Sequence, residues 1–146
     1  MSSTALSGTQ LRTRSPQLLR LAGAAVVAII AATIVNYVIT LIGVGLLSVP
    51  AAFPAYQATS YIALTVIGVV GASVAWTIIA AKAKDPVGLL RKLALIIVPV
   101  SMLMDVALLV AGMSVIGVLT LLIMHVTVGA IAYYSLTRIA PPRPAV

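Results

Sequence analysis

The chain has 146 residues, 62% hydrophobic and 8% charged, with a formal net charge of +7, whereas soluble proteins are roughly 25% charged. A soluble fold of this size cannot hide so much apolar surface, so the chain is expected to lie in lipid. No basic stripe interleaved with aromatics marks a nucleic-acid surface, and the absence of cysteine excludes disulfides and thiolate metal sites.

In hydrocarbon only helices or closed barrels satisfy every backbone polar group. The Ala-, Leu-, Ile- and Val-rich runs lack the alternation of a membrane barrel. The expected fold is therefore all-α, an integral membrane antiparallel bundle of four transmembrane helices with cytoplasmic N- and C-termini. Residues 1–16, rich in Ser, Thr and Gln, read as a flexible cytoplasmic tail. The first helix is placed at 17–42. Its apolar stretch exceeds the roughly 7–15 residues of a signal-peptide core, so it is expected to be retained. Residues 43–60 carry Gly43, Gly45, Pro50 and Pro54 but no charge. Phe53 and Tyr56 suggest that this connection lies along the membrane interface.

The second helix is placed at 59–81, with Trp76 near its end. The segment Lys82-Ala83-Lys84-Asp85-Pro86 reads as a tight turn, because Pro86 cannot continue a helix and Asp85 suits the start of one. Residues 87–90 are expected along the interface, before a third helix at 91–111 that contains Pro99, Ser101 and Asp105. A short turn at 112–117 leads into the fourth helix, 115–137, and residues 139–146 form a Pro-rich tail. Each helix has roughly the 20 residues needed to span hydrocarbon.

The basic residues fix an expected orientation. Arg12, Arg14 and Arg20 precede the first run, Lys82, Lys84, Arg91 and Lys92 lie in the middle, and Arg138 and Arg143 close the chain. Four crossings put all of them on one side, the positive-inside pattern of a multi-pass protein of the cell inner (plasma) membrane. Arg12 through Arg138 are read as contacts to cytoplasmic lipid headgroups. Trp76, Tyr133 and Tyr134 are expected in the inner aromatic belt, and Tyr56 and Tyr61 in the outer one.

Small residues repeat at helical spacing. Ala24, Ala28, Ala32 and Asn36 share a face of the first helix, and Gly68/Ala72 and Gly71/Ala75 repeat the spacing on the second. His125, Gly129 and Ala132 share a face of the fourth. Such faces let membrane helices approach closely, so they are read as packing surfaces.

Asp105 stands out, because a carboxylate at the centre of a membrane helix costs roughly 2.5–3.5 kcal/mol. At 1.5 Å per residue it lies about 21 Å along its helix from Arg91, and His125 lies about 15 Å from Val115. Both fall in the middle to outer half of the bilayer. An Asp105–His125 hydrogen bond is expected, with Asn36 or Ser101 completing a polar cluster. Such a pair serves as a structural tie or a proton relay. His125 is also a candidate axial ligand for a haem or pigment, although no cofactor pocket is identifiable and no cofactor is specified. One His, two Asp and no Glu or Cys cannot close a zinc site, and no serine has a convincing base and orienter.

The four-helix plan, Asn36 late in the first helix and the segment Leu121-Leu122-Ile123-Met124-His125-Val126 resemble a family of small prokaryotic membrane proteins catalogued as a domain of unknown function. The resemblance covers the first helix to Arg138. It implies four spans and a place for His125, and brings no activity. The preferred expectation is a non-enzymatic accessory or structural subunit of a membrane assembly, partnered by lipid and by a homo-oligomer or a larger complex. The rival is a small oligomeric transporter or channel for protons or a small solute, using Asp105 and His125. The third reading is the pigment- or haem-associated subunit.

Overall fold

A computed structural model describes residues 5–142, with side chains from residue 17 onward. The expected tails at 1–4 and 143–146, the side chains of Arg12 and Arg14, and Arg143 lie outside the described residues. Four helices follow in order: α1 (Ala5–Gly45), α2 (Ala58–Lys82), α3 (Pro86–Val110) and α4 (Val115–Ile139). Each contains a stretch long and apolar enough to cross a membrane, in α1 from Gln17 to Gly45. The chain is a multi-pass membrane protein. α1 starts well before Gln17, so the expected flexible tail is helical over residues 5–16.

Two buried clusters show that the helices alternate in direction. One gathers Ala24 from early α1, Trp76 and Ile79 from late α2, Leu90 from early α3, and Leu136 and Ala140 from the end of α4. The other joins Val118, Leu121 and Met124 of early α4 to Val49, Phe53 and Tyr56 of the α1–α2 connection. Arg20, Lys82, Lys84, Arg91, Lys92 and Arg138 all belong to the first of these ends.

The closest helix contact is α1 on α4. Ala24, Ala28 and Ala32 are wholly buried along it, because methyl-sized side chains let two backbones approach where lipid supplies no hydrophobic drive. α3 begins at Pro86 instead of near residue 91. Asp85 caps it, its Oδ1 accepting from the Gly88 N–H at 2.9 Å, and Pro86 occupies the first turn. Residues 87–90 therefore belong to the start of α3. Pro99 sits inside α3 without ending it.

The α1–α2 connection folds inward. A one-turn 3-10 helix, Pro54–Tyr56, drives two aromatic rings into the bundle end. The Phe53 and Tyr56 rings meet edge to face at 5.2 Å, and the Tyr56 hydroxyl lies 2.6 Å from Thr120 Oγ1. Glycines make the room: a Cβ on Gly43 would strike the Tyr56 ring, and one on Gly117 would strike Phe53. Phe53 and Tyr56 thus plug this end of the bundle.

Several of the aromatics expected in the belts face inward. Trp76 is 2% exposed, and its Nε1–H donates to the Ala140 carbonyl at 2.9 Å, tying late α2 to the end of α4. Tyr56 and Tyr61 are buried as well, whereas Tyr134 is exposed. The polar tips of Trp76 and Tyr56 have found partners inside the protein and have no need of headgroups.

Candidate functional site

Asp105 projects from α3 and His125 from α4, and the structure brings them together. Asp105 is buried, and its Oδ2 lies 3.0 Å from His125 Nδ1. The same nitrogen lies 3.1 Å from the Leu121 carbonyl one turn earlier. Oδ2 has no hydrogen-bond partner among the described residues, so the ring geometry favours the carbonyl, and the carboxylate approaches Nδ1 off the line of its N–H. We treat the pair as an electrostatic contact and not as an aligned hydrogen bond.

One proton can occupy this gap in two ways. Carried on Nδ1, it is donated to the Leu121 carbonyl; carried on Oδ2, it is donated to the Nδ1 lone pair, which requires the ring to turn from that carbonyl toward Asp105. With Nδ1 engaged in either arrangement, Nε2 is the ring atom left for any ligand.

The expected cluster does not close around this pair. Asn36 Nδ2 donates to Thr65 Oγ1 at 3.2 Å, a tie between α1 and α2. Ser101 Oγ donates to the Val98 carbonyl of its own helix at 2.7 Å. Both nevertheless line the same cavity as His125. That cavity, about 510 Å³, lies between α2 and α3 with α4 as its floor. It runs from Tyr61 and Asn36 near the aromatic plug to Leu90 and Leu136 at the basic end. Its walls are overwhelmingly apolar.

The cleft corrects the expectation for the small residues of α2. Gly68 and Gly71 are exposed along an opening, whereas Ala72 and Ala75 line it and also pack against buried residues of the neighbouring helices. No atom lies within 4 Å of the place where a Gly71 Cβ would stand. On α4 the packing expectation holds at Gly129, where a Cβ would come 2.6 Å from Val98 Cγ2 of α3. Gly129 thus holds α3 near enough for Asp105 to reach His125.

Thr65 escaped the sequence reading, although a signal existed. Tyr61, Thr65, Val69, Ser73 and Trp76 recur at helical spacing and are all buried on α2. This stripe places Thr65 beside Asn36.

Fold and site together define a small four-helix membrane protein with one intramembrane acid–imidazole pair and a lateral apolar cleft. Comparison of the chain with protein-family models, curated proteins and solved structures gives no match.

Proposed function

We infer that the chain is a non-enzymatic component of a membrane assembly, contributing helix surface and not chemistry. The observation that carries this reading is the isolation of α3. It is the least buried of the four spans, and Leu95, Ile96, Val100, Leu103 and Met104 face outward along it. The cleft separates it from α2, so a neighbouring protein has a long apolar face to pack against. The resemblance to small uncharacterised prokaryotic membrane proteins fits this reading and assigns no activity.

Extraction in polymer-bounded native nanodiscs tests it. A particle of fixed stoichiometry, with a second copy or a partner chain, is the expected result. A photo-crosslinker at Met104 of α3 should capture that neighbour, whereas one at Ile30 of α1 should not. Monomer alone, with only lipid captured at Met104, overturns the reading.

We place the basic end in the cytoplasm, with the membrane being the plasma membrane. The support is the gathering of Arg20, Lys82, Lys84, Arg91, Lys92 and Arg138 at one end of the bundle. Reporter fusions after residue 146 and at Gln57 should report opposite sides, the former cytoplasmic. Equal signals from both, or the reverse assignment, defeat this topology.

The transport reading is favoured by one observation, the juxtaposition of Asp105 and His125 deep between two spans. The apolar walls of the cleft and the separate engagement of Asn36 and Ser101 count against a continuous polar path.

A further inference from the structure

We propose that the cleft between α2 and α3 binds one acyl chain of an anionic phospholipid, whose phosphate is held by the basic turn between those helices. The length of the cleft comes from its walls. Tyr61 to Ala75 on α2, Leu90 to Ser101 on α3 and Leu121 to Leu136 on α4 line it, stretches of about 21, 16 and 22 Å at 1.5 Å per residue. A bilayer's hydrocarbon core is about 30 Å thick, so one leaflet is about half that depth. The cleft is therefore long enough to seat a chain belonging to the leaflet at the basic end.

The lining suits an acyl chain, being a cleft of about 510 Å³ walled almost wholly by apolar side chains. The space at Gly71 is open, and the walls at Gly68, Ala72, Ala75 and Ala94 are low. An unfilled apolar slot forfeits dispersion contacts along its whole lining, and in a bilayer the nearest filler is an acyl chain.

Charge selects the headgroup. α2 and α3 are joined directly by the turn that closes the cleft, and Lys82, Lys84, Arg91 and Lys92 are exposed around it. The one carboxylate there among the described residues, Asp85, accepts the Gly88 N–H as a helix cap. Among the described residues no ion pair engages these cations. A chain seated in the slot carries its phosphate to the membrane surface at this turn, where basic clusters attract anionic lipid. The proposal goes beyond the assembly reading, and a monomer would show it in full.

The chain's single tryptophan reports occupancy. Trp76 packs with Leu90 and Leu136, which line the basic half of the cleft. The full chain is reconstituted in phosphatidylcholine vesicles containing a small fraction of phosphatidylglycerol or phosphatidylcholine brominated on its acyl chains. Brominated phosphatidylglycerol should reach half-maximal quenching of Trp76 at a fraction at least about fivefold lower.

Gly71→Leu, and independently Ala94→Leu from the facing wall, should abolish that preference while circular dichroism stays native. Replacing Lys82, Lys84, Arg91 and Lys92 by Gln should make the two lipids equivalent while leaving the slot able to quench. Equal quenching of the wild type by both lipids overturns the proposal. So does a preference unchanged in both slot-filling variants, which would assign it to headgroups around the protein and not to the cleft.

Discussion

Trp76→Ala should lower the unfolding free energy in detergent by about 3 kcal/mol, near the lower end of the range for truncating a buried tryptophan. The lower end is chosen because lipid and detergent already solvate apolar surface, so the loss is one of packing and not of transfer from water. Trp76 is among the largest wholly buried side chains and touches three other helices through Ala24, Leu90 and Leu136. Trp76→Phe keeps most of this contact and removes the bond to the Ala140 carbonyl, at a cost of about 1 kcal/mol. Hydrogen exchange should show the end of α4 opening first in the alanine variant. An alanine variant as stable as the phenylalanine one would mean that this end is not held through Trp76.

The helices were legible because lipid leaves so little choice of secondary structure. The alanine face of α1 was legible because spacing by four fixes a face without any knowledge of its partner. Asp85 and Pro86 marked the start of α3 locally, as cap and first-turn proline. Trp76 was misplaced. Belt arguments use depth along a helix, whereas burial depends on azimuth, and Trp76 shares its face with Tyr61, Thr65, Val69 and Ser73. Phe53 and Tyr56 turn inward into spaces left by Gly117 and Gly43, and only tertiary structure brings those residues together.

The cleft shows the same limit. Gly68, Gly71, Ala72 and Ala75 remove bulk from one face of α2, which permits either a close helix or a vacancy. The choice is made by the placing of α3, which packs closely on α4 at Gly129. Asp105 and His125, by contrast, were legible as a pair because their depths, read from two antiparallel helices, agree. The failure of Asn36 and Ser101 to join them follows from nearer partners. Thr65 faces Asn36 across α1 and α2, and the Val98 carbonyl lies one turn below Ser101.

Substitutions at the pair are expected to act unequally. His125→Leu removes the imidazole that lies 3.0 Å from Asp105 Oδ2, and leaving a buried polar group without compensation costs about 1–3 kcal/mol. Asp105→Leu leaves His125 its contact with the Leu121 carbonyl, so the loss should be near the roughly 0.6 kcal/mol average for polar ties between membrane helices. Asp105→Asn keeps a polar group of the same shape and should melt within about 0.5 kcal/mol of wild type. The predicted order of stability is therefore wild type and Asn, then Asp105→Leu, then His125→Leu. A His125→Leu protein as stable as wild type would show that the close approach contributes nothing to the fold. Proton flux in liposomes then separates a tie from a relay. A tie predicts no flux above empty liposomes for any of the four proteins. A relay predicts flux in the wild type that Asp105→Asn abolishes at unchanged stability, because an amide cannot carry the exchanging proton. That second outcome would overturn the assembly reading's premise that the chain contributes surface and not chemistry. The two measurements are independent: melting reads how the pair holds α3 against α4, and flux reads whether its proton moves.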